Sequence, residues 1–337
     1  MYVLVALSQK LKLQMYMLWA SMPGLEFRHP SQTDLEIITD IFNRSRRDLP
    51  FQRRMTPEEI GSETFLDSDY NPESAWIVFD NEVPTAYGEA FIDKQRVAFG
   101  RNDSSGRVEV VPDARGRGIE QELLRRIVDL TKVKGLEAVQ FWCSEKDAWK
   151  ISLLKEAGSR DVHHYFSMVW KGSLLPEKAS WPEGIRHTHR MFKEASDEEL
   201  RDALALSNEA FSGLFNYSPW PLERLVNFRD TAEDVLRLTF AYSDGRLAGV
   251  CWSEDSVPYN AEHGLKDGWI DVLAVSTLYR RRGLGKALIL DGMDWLLERG
   301  LNVLHLGVDA ENRNALGLYT SLGFSVLHEN ITYVLDV

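Results

Sequence analysis

Apolar residues in the second half of the chain recur at two spacings, one typical of helices and one typical of strands. Ser196 and Glu199 match a helix-capping box, and the apolar stripe behind them has the 3.6-residue period of an amphipathic helix. Asp244-Gly245 is a strong hairpin turn between two apolar runs. The predicted elements are, in chain order, a strand from 185, a helix at 197–211, strands at 238–242, 246–253 and 269–275, a helix from 284 to Gly300, a strand at 303–308, a helix at 314–322 and a strand at 333–337. This mixture predicts an α/β fold.

A segment rich in arginine and glycine, Arg280-Arg281-Arg282-Gly283-Leu284-Gly285, separates the strand at 269–275 from the next helix. A tight glycine turn leaves the first backbone N–H groups of that helix without acceptors, at the positive end of the helix dipole. Such a helix N-terminus is suited to binding a pyrophosphate. The arginines add positive charge at its rim.

A similar turn, Arg115-Gly116-Arg117-Gly118-Ile119-Glu120, occurs 165 residues earlier, and Gly158 and Gly323 keep the same offset. Spacing held over so long a span indicates an internal repeat. Lys171 to Gly184 contains two prolines and two glycines, as expected of a linker. The predicted organisation is an N-terminal extension at 1–24, a first copy at 25–170, a linker at 171–184 and a second copy at 185–337.

Composition narrows the class of protein. A hydrophobic content of 44% with 27% charged residues is typical of soluble globular proteins, and 337 residues suit about two domains. Cys143 and Cys251 lie in different copies and in apolar runs, which favours buried thiols in a reducing compartment over a disulfide or a metal site. We therefore expect a cytoplasmic monomer or homodimer that uses no metal. Lys10 and Lys12 interrupt the apolar N-terminal stretch, so no membrane span is expected.

Two motifs of the second copy resemble the signatures of the GNAT N-acyltransferases. Arg280-x-x-Gly283-x-Gly285 matches the pattern Arg/Gln-x-x-Gly-x-Gly/Ala. The second signature, Asn-x-x-Ala-x-x-x-Tyr-x-x-x-Gly-Phe, is matched by Asn312, Ala315, Tyr319, Gly323 and Phe324. The resemblance extends over nearly all of both copies. It implies two tandem domains, each with a mixed, mostly antiparallel sheet flanked by helices.

The resemblance also implies acetyl-CoA as a co-substrate. In that case the strand before the arginine-glycine turn separates from its neighbour, and a backbone N–H near Val275 polarises the thioester carbonyl. Tyr319 is implied to protonate the leaving thiolate, for which a phenol with a pKa of about 10 is reasonably matched. The expected cofactor-binding residues are Leu273, Ala274, Val275, Arg280, Arg281, Arg282, Gly283, Leu284, Gly285, Lys286, Asn312, Asn314, Ala315 and Tyr319.

The general base is less sharply defined by the sequence. Asp271 lies where some family members carry a glutamate that acts directly or through water, and strand alternation predicts its side chain on the face of Leu273 and Val275. Asp267 and Glu254 are competing candidates. A solvated carboxylate at a strand end explains Asp271 equally well.

The acceptor is expected to be an amine of a small molecule or peptide, which the net charge of −12 favours when the amine is cationic. The segment 211–220 falls where family members cover their acceptor. Its aromatic residues, together with one on the following hairpin, predict a substrate pocket lined by Phe215, Tyr217, Trp220 and Trp252. Packing against the other copy explains the same residues equally well.

The first copy departs from the family pattern at two places. Glu120 stands where the second copy has Gly285, and its carboxylate would repel a pyrophosphate and occupy the backbone donors. Leu154 replaces Tyr319, and the Asn/Ala positions hold Asp147 and Lys150. We expect this copy to be silent in acetyl transfer.

Two other functions remain as alternatives. A non-catalytic acyl-CoA-binding or regulatory protein would keep both copies for recognition alone. A nucleic-acid-binding role is less favoured, because the chain is acidic and no aromatic residues interleave with the basic triplet.

Overall fold

The computed structural model of the chain describes residues 24–49, 54–231 and 235–337. Nearly all of the predicted N-terminal extension, up to residue 23, lies outside these residues. The chain forms two compact units. The first comprises residues up to 97, 102–161 and 332–337, and the second comprises 98–101 and 162–331. Across the described part of the chain, no helix combines the length and apolar character required to cross a bilayer.

The first unit is a five-stranded sheet with helices packed on it. Its strands are β1 (Leu25–Arg28), β2 (Ala75–Asp80), β3 (Val83–Phe91), β4 (Asp103–Val110) and β5 (Ala138–Ser144), paired in that order. Its helices are α1 (Leu35–Ser45), α2 (Pro57–Glu63), α3 (Lys94–Ala98), α4 (Ile119–Val133) and α5 (Ala148–Glu156). Only β4 and β5 pair as parallel strands here, and the other pairs are antiparallel.

The second unit repeats this arrangement with more strands. They are β6 (Arg160–Lys171), β7 (Ile185–Met191), β8 (Val235–Ser243), β9 (Arg246–Asp255), β10 (Asp267–Val275), β11 (Val303–Asp309) and β12 (Ser325–Asp336). The helices are α6 (Asp197–Phe211), α7 (Leu222–Thr231), α8 (Val257–His263), α9 (Leu284–Glu298) and α10 (Arg313–Ser321). The strand order is β12-β6-β11-β10-β9-β8-β7, and β10 and β11 are parallel. The pairs β7–β8, β8–β9, β9–β10 and β6–β11 are antiparallel, so the predicted mixed, mostly antiparallel sheet is confirmed.

Local sequence signals account for the predicted helix at 197–211, which has the predicted bounds. Ser196 caps it by accepting from the backbone N–H of Glu199, whose side chain bonds back to Ser196. The final strand was predicted too short, because it begins at Ser325 and not at residue 333. Residues 328–330 are polar, so the sequence shows no alternation of apolar and polar positions there. These residues are nevertheless buried or half-buried in the sheet.

One strand joins a unit that its position in the sequence does not suggest. β6 ends the first sequence copy, yet from Val162 onward it belongs to the second unit. It pairs antiparallel with β11, from Tyr165 opposite Asp309 to Lys171 opposite Val303. The sheet of the second unit is therefore built partly from residues of the first copy.

Two apolar clusters cover the two faces of the second unit's sheet. One, called the α9 cluster below, contains Leu288 and Met293 of α9. The other, called the α6 cluster, contains Leu200 of α6 with Phe240 of β8. All four side chains are almost fully buried. Burial of such a side chain contributes roughly 1.5–3 kcal/mol, so both faces stabilise the unit. Gly249 lets α9 approach closely, because a Cβ there would lie 2.7 Å from Leu288 Cδ1.

Candidate functional site

The two parallel strands of the second unit separate halfway along their length. β10 and β11 pair only from Asp267–Ile270 against Val303–Leu306. Beyond that point, 272–275 of β10 stay paired with β9 but not with β11. The opening between 271–275 and 307–309 is called the wedge below. Its walls present backbone groups that the sheet does not use, which is the separation expected near Val275.

A bulge lies where the wedge opens. The register of β10 against β9 shifts by one residue between Ile270 and Val272, so Asp271 is the inserted residue. Ile270, Leu273 and Val275 pack in the α9 cluster, whereas Val272 packs with the α6 cluster. A bulge resets the period of two, so simple alternation does not fix the face of Asp271, and its predicted place on the face of Leu273 and Val275 stays a prediction. Asp271 is exposed at the opening of the wedge.

The arginine-glycine turn is held by its first arginine. Arg280 Nε donates to Val275 O at 3.0 Å, and its Nη2 donates to Ala210 O at 3.2 Å. The guanidinium thus braces the turn against the end of β10 and the end of α6. The carboxylate of Glu209, which the sequence did not single out, accepts from the backbone N–H of Thr277 at 3.1 Å and fixes the same segment.

The backbone of the turn is open to an anion. Gly283 caps α9 in the left-handed region with φ 84°, which a glycine adopts without a Cβ clash. Arg281 also has a positive φ of 64°, a conformation that costs an L-residue roughly 1–2 kcal/mol. Among the described residues, no acceptor bonds the backbone N–H groups of 281–286. These six groups form the anion cradle, at the positive end of the α9 dipole.

The basic side chains around the anion cradle are weakly held. Arg281 donates to Asn314 Oδ1 at 3.3 Å, which links the turn to the start of α10. Lys286 forms an exposed ion pair at 2.7 Å with Glu177 of the predicted linker. Arg282 lies over the ring of Tyr279 at 5.8 Å. Exposed pairs of this kind contribute about 1 kcal/mol or less, so all three cations can exchange their partners for phosphate oxygens.

Helix α10 borders the anion cradle and carries Tyr319. Asn312 caps this helix, its Oδ1 accepting from the backbone N–H of Ala315 at 3.1 Å. Leu318 packs against the first turn of α9, since a Cβ on Gly285 would lie 3.7 Å from Leu318 Cδ2. Tyr319 is 8% exposed, and its hydroxyl bonds no described residue. Burial raises the pKa of Tyr319 well above its usual value, so the phenol stays protonated at neutral pH.

The four aromatic residues predicted to line an acceptor pocket are divided by the structure. Trp252 is buried in the α6 cluster, 5.9 Å from the ring of Phe192, so it is a core residue. Trp220 is half exposed beneath the guanidinium of Arg224. Phe215 and Tyr217 remain on the segment that follows α6, where Tyr217 meets the ring of Phe99 edge-on.

Phe215 lies beside two polar residues, His163 and Asp309, that the sequence did not single out. It stacks on His163 with ring centroids 4.3 Å apart, and His163 Nε2 lies 3.0 Å from Asp309 Oδ1. Both polar residues are buried. No sequence signal could have joined them, because His163 belongs to the first copy and Asp309 to the second.

The competing carboxylates have partners of their own. Asp267 Oδ2 lies 3.1 Å from His305 Nε2, and that imidazole stacks on Trp269. Glu254 accepts from the hydroxyl of Ser256. Asp267 is also in the paired part of β10, before the wedge opens. Neither carboxylate is as close to the wedge as Asp271.

The corresponding turn of the first unit has the same scaffold. Arg115 Nε donates to Val110 O at 3.0 Å and Nη2 donates to Ser45 O, which are the bonds of Arg280 moved by 165 residues. Gly118 caps α4 with φ 87°. Glu120 occupies one backbone donor of this turn, since its Oε1 accepts from the backbone N–H of Gly116 at 2.6 Å. The predicted repulsion of a pyrophosphate stays a prediction. A buried carboxylate thus occupies the turn of the first unit.

A buried ion pair fills the counterpart of the wedge in the first unit. β4 pairs with β5 only as far as Gly106, and beyond it Glu109 accepts from Lys150 Nζ at 3.0 Å and Arg46 Nη2 at 2.8 Å. Burial alone would raise the pKa of Glu109, but the two cations outweigh it and hold this pKa well below its usual range. Leu154, in the position of Tyr319, is fully buried and has no proton to give.

One group of three side chains among the described residues has the composition of a metal site. The donor atoms of His187, His189 and Asp291 lie within 4.8 Å of one another. Asp291 is already neutralised by Arg237 Nη2 at 2.7 Å and accepts from Thr239 Oγ1 at 2.9 Å. The arrangement satisfies the carboxylate by an ion pair and hydrogen bonds.

A mixed sheet whose parallel strands open in front of a helix N-terminus, formed twice in one chain, defines the tandem form of an acyl-CoA-dependent transferase fold. The model of the acetyltransferase (GNAT) family matches residues 36–158 and 199–324. The chain belongs to this family and is an acyltransferase by class.

Relatives and solved structures agree with this assignment. A mycothiol acetyltransferase from Nocardiopsis dassonvillei is 30% identical over 271 residues, which is 74% of this chain and 78% of that protein. A GCN5-related N-acetyltransferase from Sphaerobacter thermophilus has a TM-score of 0.73 at 20% identity, covering 94% of this chain and 97% of that one. A tandem GNAT protein from the clavulanic acid biosynthesis pathway has a TM-score of 0.74 at 15% identity, covering 93% and 98%. The two structures support the fold alone.

Proposed function

We propose that this protein transfers acetyl from acetyl-CoA to an amine of a small molecule or peptide, and that the second unit carries out the reaction. The observation that carries the proposal is the contrast between the two turns. The backbone donors of 281–286 have no described acceptor, whereas Glu120 occupies the turn of the first unit. A pyrophosphate needs such open donors and is repelled by a carboxylate.

The residues of the second unit suit each demand of acetyl transfer. The anion cradle binds the pyrophosphate, with the cationic side chains of Arg281, Arg282 and Lys286 at its rim. The pantetheine arm lies in the wedge along 273–275, where an unpaired backbone N–H polarises the thioester carbonyl. Asn312, Asn314 and Ala315 shape the neighbouring end of α10.

Bond changes follow from this placement. The neutral amine attacks the carbonyl carbon, the C–S bond breaks, and the sulfur takes the proton of the Tyr319 hydroxyl. The nitrogen, positively charged after its attack, releases a proton to the base through water, and the Tyr319 phenolate takes up a proton from solvent. The raised pKa of Tyr319 keeps this proton available at neutral pH. Asp271 at the mouth of the wedge is the candidate base, through an intervening water. Arg280 contributes by bracing the turn, since its guanidinium is occupied by two carbonyls.

The acceptor is best sought among amines. Because the relative from Nocardiopsis dassonvillei is a mycothiol acetyltransferase, the acceptor of that enzyme is the first compound to test. A net charge of −12 supports a cationic acceptor, so polyamines, aminoglycosides and peptide N-termini complete the panel. Phe215 and Tyr217 are the aromatic residues placed to contact it.

Calorimetric titration with acetyl-CoA tests the assignment of the active unit. We expect one site in the native chain and none in Gly285→Glu, which gives the second unit the carboxylate of the first. The reciprocal change, Glu120→Gly, is the matched control and leaves the site of the second unit intact. Two sites in the native chain, or binding that survives Gly285→Glu, would contradict the proposal.

A further inference from the structure

The second unit contains a buried histidine that its own sequence copy does not supply. His163 lies two residues before Tyr165 on β6, and Tyr165 is opposite Asp309, the last residue of β11. From Val162 onward β6 belongs to the second unit. A residue of the first copy is thereby placed at the end of a strand that borders the wedge.

The position of Asp309 relates His163 to the proposed reaction. Asp309 lies three residues beyond Leu306, where β11 stops pairing with β10, so it is on the open stretch of the strand. Val308 packs in the α9 cluster, and alternation puts Asp309 on the opposite face. That face is also the face of α6, and Phe215 from the segment after α6 stacks on His163. His163 and Asp309 therefore lie on the acceptor side of the wedge.

The two side chains have the relation of a base and the group that orients it. His163 is 5% exposed and Asp309 is 7% exposed. Nε2 lies 3.0 Å from Asp309 Oδ1 without the alignment of a hydrogen bond, so Nε2 lacks a hydrogen-bond partner among the described residues. The backbone N–H of Glu311 donates to the same carboxylate at 2.8 Å and fixes it. An unpaired buried nitrogen beside a fixed carboxylate is costly unless a ligand or a proton uses it.

We propose that His163 accepts the proton that the acceptor's ammonium group loses before attack. This inference rests on the proposed acetyl transfer. The ring nitrogen remote from Asp309, Nδ1, takes the proton, and the amine nitrogen keeps its lone pair. The Asp309 carboxylate, 3.0 Å from Nε2, stabilises the imidazolium by its charge. Acetyl transfer then follows as described, with Tyr319 protonating the sulfur. Asp309 acts as a positioning residue.

Two titratable side chains contact His163 directly. Asp309 is the carboxylate that faces it from β11, and Tyr165, whose ring is 5.0 Å away, is the titratable group of its own strand. Phe215 from the segment after α6 is uncharged. His164, the next residue, is engaged with Glu329 of β12 at 2.6 Å. Asp309 is thus the group positioned to stabilise a charged His163.

The adjacent histidines provide a matched pair of variants in the full-length chain. His163→Gln and His164→Gln remove the same imidazole from neighbouring positions of one strand, and only the first is buried beside Asp309. With acetyl-CoA and the best amine of the panel, we expect kcat/KM to fall on the order of 10²-fold in His163→Gln. We expect His164→Gln to stay within about twofold of the native chain, and both variants to keep the native acetyl-CoA affinity.

The pH dependence separates proton transfer from a structural effect. Raising the pH toward the pKa of the amine supplies neutral acceptor without a base, so the deficit of His163→Gln should shrink there. A deficit that stays constant with pH overturns the inference, as does activity within twofold of native. If His163→Gln is less heat-stable than His164→Gln, Asp309→Asn decides, because it keeps the imidazole and its stacking. A tenfold fall in its kcat supports the inference, and an unchanged kcat overturns it. Absence of turnover by the native chain would instead overturn the proposed function and, with it, this inference.

Discussion

Replacing Tyr319 by phenylalanine isolates the proton that we assign to the leaving thiolate. The hydroxyl of Tyr319 bonds no described residue, so its removal breaks no hydrogen bond within the protein. The ring stays packed in the α9 cluster, 6.1 Å from Phe324. Loss of stability should therefore stay below about 1 kcal/mol, because no hydrogen bond to a described residue is lost.

The kinetic effect should be large by comparison. Proton transfer by a positioned side chain contributes typically 10²–10⁴-fold, so we expect kcat to fall on the order of 10²-fold in Tyr319→Phe, about 3 kcal/mol in the barrier. The acetyl-CoA dissociation constant should be unchanged, since the anion cradle and the arginines are untouched. The raised pKa of Tyr319 also fixes the direction of the pH dependence. The phenol remains protonated across neutral pH, so kcat should not fall through its deprotonation until well above pH 10.

Steady-state release of CoA thiol measures kcat, and calorimetry measures acetyl-CoA binding. Tyr333→Phe is the matched control, because Tyr333 is also buried, on β12, with a pKa raised by burial. It lies in the first unit, outside the proposed site. Native kcat in Tyr319→Phe, or an equal loss in Tyr333→Phe, would refute the assignment of Tyr319 as the acid.

Two further predictions concern the scaffold. Arg280→Ala removes two hydrogen bonds to backbone carbonyls, so chemical denaturation should show an unfolding free energy lower by roughly 1–3 kcal/mol. Arg115→Ala should lower the unfolding free energy of the first unit by a similar amount. A change below about 0.5 kcal/mol in both variants would show that neither guanidinium braces its turn. Glu109→Gln removes the nearer of two carboxylates from the buried ammonium of Lys150, with Asp147 remaining at 3.5 Å, and should cost about 3 kcal/mol by the same assay. The pKa of Glu109 is lowered by folding, so its contribution is present above the unfolded pKa of about 4.3 and is lost as the pH falls below it. Between pH 6 and pH 3, the unfolding free energy of the native chain should therefore fall more steeply than that of Glu109→Gln. Equal slopes in the two proteins would contradict this.

Both wedges and both turns share one scaffold, but they differ in what fills them. The arginine bonds of the two turns are the same pair displaced by 165 residues, and each helix is capped by a left-handed glycine. In the first unit Glu120 and the Glu109–Lys150 pair take the places that a pyrophosphate and a pantetheine arm need. We propose that these internal carboxylates keep the first unit from binding the cofactor while its scaffold persists.

The sequence by itself determined the features that depend on neighbouring residues. The capping box at Ser196, the left-handed turn at Gly283 and the carboxylate of Glu120 at its own turn are effects of residues at most four positions apart. The 165-residue offset also predicted the two-copy organisation, because equal spacing of motifs can be recognised without knowing which residues are in contact. The acceptorless backbone of 281–286 follows from the same local geometry.

Tertiary structure decided what depends on residues far apart. The bulge at Asp271 arises from pairing with β9 and breaks the alternation from which its face was predicted. Trp252 is in the core because α6 covers that face of the sheet. His163 reaches Asp309 because β6 pairs with β11 across more than a hundred residues of chain. Strand pairing and burial are set by the whole chain's competition for partners, and no local pattern of apolar and polar residues encodes that outcome.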